Sequence, residues 1–150
     1  MTRTNAREIA VRICFMLSAE NEPAPELLER FFDEAYYETL AAEDEVFSEY
    51  PDEKQKDYIC RLIRGIGLHN AELDGYIEKY AKGWKFARIS RTALAVLKTA
   101  MFEIMYMPEV PDKAAINVAV ELAKKYEEPE TVPFINGVLG SFARNEAIEQ

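Results

Sequence analysis

Asn117 and Asn136 are the side chains whose placement first suggests chemistry. Each stands beside the apolar stripe of a helix-forming segment. Ile116, Ala119, Val120 and Ala123 recur at helical spacing around the first, and Phe134, Ile135, Val138, Leu139 and Phe142 around the second. Asn is a poor helix former, and an amide removed from water needs hydrogen-bond partners. Two such amides on consecutive helices read either as a site or as polar anchors in a helical core.

Other candidates for chemistry are few. His69 is the only histidine and has no Cys or second His at metal-ligand spacing. Cys14 and Cys60 sit beside Ile13 and Ile59 in helical patterns, where a thiol packs as a small hydrophobe, and neither belongs to a CxxC pair. The carboxylates fall mostly on predicted outer faces, where ordinary ionisation is expected. No nucleophile and base can be paired, so neither an enzyme nor a bound cofactor or metal is expected.

The elements that must position these residues read as helices throughout. Asn5 is the expected N-cap of the first helix, with Glu8 three residues on and a stripe of Ile9, Ala10, Ile13, Met16 and Leu17. A second helix runs from Pro25 to about Leu40 and buries Leu28, Phe31, Phe32, Ala35 and Tyr36. Residues 41–51 read as a solvated acidic connection holding at most one helical turn. From Asp52 the stripe Ile59, Leu62, Ile63, Ile66, Leu73, Ile77 and Tyr80 predicts one long helix. Gly65 and Gly67 mark either a kink in it or the close approach of a neighbour. Trp84, Phe86 and Ile89 are expected to plug one end of the core. A further helix starts near Ser90, carries Leu94, Leu97, Met101, Ile104 and Met105, and stops at Pro108 and Pro111. Two more helices, those of the asparagines, are separated by residues 127–131. The expected fold is all-α: a compact bundle of about six to seven helices with one long central helix.

At 150 residues and 17.2 kDa, with 49% hydrophobic and 30% charged residues, residues 1–150 are expected to form a single domain. No apolar run is long enough to span a bilayer and the N-terminus lacks a signal-peptide core, so no membrane partner and a cytoplasmic location are expected. The formal charge is −9. From Glu20 to Glu53 there are thirteen acidic residues against one basic, Arg30, a local balance of −12 that leaves +3 for the rest of the −9 chain. Arg3, Arg7 and Arg12 against Glu8 make the N-terminus a small basic arm on an acidic protein.

Several segments together carry a family resemblance. They are Ala6 to Glu8, Arg61-Leu62-Ile63-Arg64-Gly65-Ile66, Glu72-Leu73-Asp74, Ile77 to Tyr80, Arg88-Ile89 and Met101 to Tyr106. Pro111, Lys113 to Ile116, Asn117, Ala119 to Lys124 and Phe134 to Leu139 complete the set. In this order they resemble the NusB family of transcription antitermination factors over nearly the whole chain, most specifically in its last third. The resemblance implies a non-catalytic helical protein. Such a protein pairs with NusE, a small-subunit ribosomal protein, and binds the single-stranded boxA element of nascent ribosomal RNA. It thereby helps RNA polymerase, in an antitermination complex, read through terminators.

Carried onto this chain, the resemblance implies RNA-binding roles for Arg3, Arg7, Tyr80, Lys113 and Phe134. Tyr80 and Phe134 either stack bases or belong to their helical stripes, and both alternatives stay open. Arg91 and Leu94 are the implied partner-binding residues, and Asn117 and Asn136 match the family's signature asparagines, with a structural role as buried amides. A homodimer stays open beside the NusE complex. This chain departs from the family pattern in its thin arginine arm, in Val118 where Glu is frequent, and in its long acidic segment 41–53. Weak RNA binding without NusE is expected, and a protein-only adaptor of the same fold is the alternative.

Overall fold

A computed structural model describes residues 1–147, which form eight α-helices and no strand among the described residues. They fall into two compact units, Met1–Leu68 and His69–Gln150, the last three residues lying outside the described range.

The first unit holds α1 (Arg3–Glu20), α2 (Ala24–Phe31), α3 (Glu34–Ala41), a 3₁₀ turn at Glu45–Phe47 and α4 (Glu53–Leu68). α1 packs along α4, burying Ala6, Ile9, Ala10 and Ile13 completely, while Ile59, Leu62 and Ile63 of α4 are equally buried. The α1 cap lies earlier than expected. Thr2 has extended backbone and its Oγ1 accepts from the Asn5 amide at 3.0 Å, so Asn5 is inside the first turn. α4 runs unbroken through both glycines. A Cβ on Gly67 would stand 3.3 Å from Ala24 Cβ, so this glycine serves the close approach of α2 and not a kink.

The expected second helix is divided. Asp33 leaves the helical conformation and caps α3, its Oδ2 accepting from the Tyr36 amide at 3.1 Å. The break rotates the aromatic residues. Tyr37 is buried, Ala35 is exposed and Tyr36 half-buried. Phe31 then meets Phe32, Tyr37 and Phe47 edge to face at centroid distances of 5.4, 5.8 and 5.7 Å, a favoured arrangement that a continuous helix would not supply. Val46 and Phe47 of the acidic connection therefore enter the core while its carboxylates stay outside.

The second unit holds α5 (Asn70–Tyr80), a 3₁₀ turn at Phe86–Arg88, α6 (Arg91–Tyr106), α7 (Asp112–Tyr126), α8 (Thr131–Phe142) and a π-helical turn at Ala143–Ala147. The long helix expected to end at Tyr80 is interrupted at His69, whose backbone (φ −106, ψ 17) leaves the α-helical region. The imidazole then stacks on Tyr106 with centroids 4.4 Å apart. α5, α7 and α8 all pack on α6, which is buried around its whole circumference from Ala95 to Ile104. The central helix of this unit is thus α6. Its buried lysine, Lys98, donates to Asn70 Oδ1 at 2.8 Å and lies 2.8 Å from Asp74 Oδ1, an ion pair without hydrogen-bond angles.

Candidate functional site

Between α5 and α6 the chain turns on a glycine. Gly83 has φ +82, a conformation that strains any residue with a Cβ, and the Trp84 amide donates back to the Ala81 carbonyl at 3.2 Å. Ala81 and Ile89 are buried at the two ends of the segment. Ser90 fixes its exit: its Oγ accepts from the Ala93 amide at 3.0 Å and donates to Glu127 Oε1 at 2.6 Å. Held at both ends, the segment displays its middle. Trp84 does not plug the core as expected but is 39% exposed, its ring tilted 32° on that of Phe134 in α8 with centroids 4.4 Å apart. Lys82, Lys85 and Arg88 are exposed and have no ion pair among the described residues.

Tyr80 closes α5. Its hydroxyl donates to Glu146, which also accepts from Lys79 Nζ at 2.6 Å, and its ring meets Phe142 edge-on at 6.3 Å. Lys79 and Tyr80 hold the Glu146 carboxyl below the ordinary carboxylate range. Desolvation, and after it the bond to Glu146, pushes the Tyr80 phenol up. Tyr80 is therefore half-buried and already engaged, whereas Lys113, in the first turn of α7, is exposed without a partner among the described residues. Arg91 is exposed and Leu94 half-buried, one turn apart at the start of α6.

In the first unit the two arm arginines belong to α1 itself. Arg3 Nε donates to Gln55 Oε1 at 2.8 Å, and its guanidinium lies 3.9 Å from the centroid of the Tyr58 ring. Both Nη groups lack a hydrogen-bond partner among the described residues. Arg7 is 8% exposed and packs within the unit.

The asparagines are where the sequence reading fails. Asn117 and Asn136 are both exposed, and neither is a buried anchor. The buried face of α7 is Ala115, Ala119, Leu122 and Ala123, and that of α8 is Ile135, Val138, Leu139 and Phe142. Counting Ile116, Val120 and Phe134 as stripe centres, when each is only half-buried, turned both faces toward the amides.

Trp84 and its three cations went unnoticed as a set. Their signal was available: no Asp or Glu occurs between Glu78 and Glu103 of this acidic chain. No group of three His, Cys, Asp or Glu side chains suited to a metal ion is found among the described residues. Cys14 and Cys60 are not joined in a disulfide, and burial pushes the Cys60 thiol pKa up.

The fold is all-helical among the described residues and presents the Trp84–Phe134 ring pair beside exposed cations. Comparison with known proteins gives the family. Residues 4–144 match the sequence model of the NusB family. The chain is 34% identical to the transcription antitermination protein NusB of Acetivibrio thermocellus over 144 residues, covering 96% of this chain and 90% of that protein. It is 35% identical to the protein of the same name from Clostridium botulinum strain Kyoto over 140 residues, covering 93% and 98%. The solved structure of T. maritima NusB superposes with a TM-score of 0.79 at 27% identity, covering 98% of this chain and 94% of that one. The chain belongs to the NusB family.

Proposed function

We propose that the chain is a transcription antitermination factor that, together with NusE, binds boxA RNA of nascent ribosomal RNA transcripts and promotes read-through by RNA polymerase. The observation that carries this reading is the family match across residues 4–144, with near full-length relatives that bear the name transcription antitermination protein. The geometry supports it in each unit. Lys113 is exposed and unpaired, Phe134 is half-buried beside Trp84, and Arg3 is preset on Tyr58 with free Nη groups. Bases unstacked from a single strand rest on aromatic faces while Lys and Arg take the phosphates.

Within this reading Arg3 and Lys113 contact phosphate, Phe134 contributes a ring, and Tyr80 contributes its ring edge while its hydroxyl stays on Glu146. Arg7 reaches RNA only by leaving its packed position. Arg91 and Leu94 form part of the surface for NusE. The test is a titration of labelled boxA RNA with the chain alone and with NusE at two salt concentrations. Tighter binding in the presence of NusE is expected, and equal, salt-independent signals in both arms refute the reading. The burial of Arg7 favours a second reading, a protein-only adaptor, for which NusE capture is unaffected by nuclease and the titration shows no RNA binding.

A further inference from the structure

We propose that Trp84, lying on Phe134, is a base-stacking platform for single-stranded RNA, with Lys82, Lys85 and Arg88 holding the phosphates of the stacked nucleotides. This rests on the RNA-binding reading above and assigns it a place in the second unit.

The argument begins with what the fold leaves undone. Trp84 is the chain's only tryptophan and one of three large hydrophobic side chains left exposed, with Phe15 and Leu68, among the described residues. Burying an indole is among the larger apolar gains available to a fold. Here the chain is pinned on either side, at Ala81 and Ile89, and Gly83 adopts the left-handed turn that carries Trp84 outward. Phe134 supports the indole from α8 at 4.4 Å, which fixes the plane of the ring without covering it. A supported, partly exposed indole is what a base needs in order to stack.

Charge selects the occupant. Lys82, Lys85 and Arg88 have no carboxylate partner among the described residues, whereas Arg12 is tied to Asp44, Arg30 to Glu20 and Glu22, and Lys124 to Glu121. An unpaired cation meets a phosphate without first breaking an ion pair. The two carboxylates that bond to the flanks of this segment are occupied, Glu127 by Ser90 and Glu146 by Lys79 and Tyr80. The spacing of Lys82, Lys85 and Arg88 around one aromatic residue suits a flexible strand with splayed bases better than a duplex, whose bases have no free face.

Trp84 provides its own readout, as the sole tryptophan. Its emission is followed while the NusE complex is titrated with single-stranded boxA RNA, with Trp84→Phe giving the background, and anisotropy of labelled RNA reports affinity independently. RNA is expected to quench Trp84, and a duplex of the same sequence is not. Trp84→Leu should weaken binding about tenfold while Trp84→Phe keeps most of it. Lys82→Gln, Lys85→Gln and Arg88→Gln together should lower the salt slope by about 2. Circular dichroism checks that each variant is folded, and Trp84→Phe covers the case in which Trp84→Leu is not. If RNA binds but Trp84 is not quenched, or if Trp84→Leu binds as well as the parent, the platform is wrong and the RNA reading stands. A change in Trp84 emission on adding NusE, with none on adding RNA, makes this surface a protein interface and overturns the proposal. If RNA does not bind at all, with or without NusE, the reading and the platform fall together.

Discussion

Lys98 of α6 and Asp74 of α5 face each other at 2.8 Å, the lysine side chain only 8% exposed and the aspartate 32%. The asymmetry decides what each substitution does. Asp74→Ala strands a buried ammonium on Asn70 alone and should cost about 2 kcal/mol, somewhat under the full cost of breaking a buried pair because water reaches Asp74. Lys98→Met fills the same space with an apolar chain but leaves Asp74 Oδ1 buried without its ammonium, the rest of the carboxylate staying partly hydrated, so the loss should be smaller, about 1 kcal/mol. Urea unfolding of the two variants measures both. Equal losses would mean that the pair contributes symmetrically.

Gly83→Ala tests the turn under Trp84. With φ at +82 the added Cβ meets no neighbour, so the cost is backbone strain alone, about 1 kcal/mol. The tryptophan emission should shift as the turn relaxes. An unchanged melting temperature with unchanged emission would show that the turn tolerates a side chain.

Tyr106 and Tyr37 should titrate late. The bond to Glu72 and then burial push Tyr106 up to about 12, and burial pushes Tyr37 up to about 12, from an ordinary 10.0. The folded state thus favours the protonated phenols. Their stabilisation is complete below the unfolded value near 10 and is lost as the pH rises toward 12. Absorbance at alkaline pH should show a late phase, and Glu72→Gln should bring the Tyr106 part of it to lower pH.

Glu146 behaves in the opposite sense. Its carboxyl is held below the ordinary range by Lys79 and Tyr80, so its contribution is present above the unfolded carboxylate pKa and disappears as the pH falls through the folded value. Glu146→Gln should therefore lower thermal stability at neutral pH, leave it little changed below the folded pKa, and so flatten the acid limb.

Arg3 and Arg7 should separate function from folding. Arg3→Ala should reduce the salt slope of RNA binding by about 0.7 while the fold persists. Arg7→Ala, at a position 8% exposed, should lower the melting temperature more than it lowers affinity at a temperature where the variant is folded. The reverse pattern would place the phosphate contact at Arg7.

The helices were legible wherever a stripe met a clear stop. A start near Ser90 and a stop at Pro108 and Pro111 were legible for α6 because a polar cap residue and an imino acid act locally. The breaks at Asp33 and His69 were not, since the apolar pattern continues across both and the reason for breaking lies in ring contacts with Phe47 and Tyr106, distant in the chain. Asn117 shows a different limit. Alanine fills a stripe on paper as well as leucine does, but it says little about direction, and α7 is rotated by about one residue from its expected face. For the candidate site, aromatic and basic residues were visible singly. The uninterrupted lack of carboxylates around Trp84 carries the signal only when the stretch is read as a whole.

The approach of α2 to α4 at Ala24 and Gly67 leaves space for one methyl group where two positions meet. That methyl sits on Ala24, and moving it to position 67 with glycine at 24 preserves the volume. The two positions therefore form a thermodynamically coupled pair: a double-mutant cycle through Gly67→Ala and Ala24→Gly should show favourable coupling. Residues far apart in the chain thus jointly encode a single distance between helices.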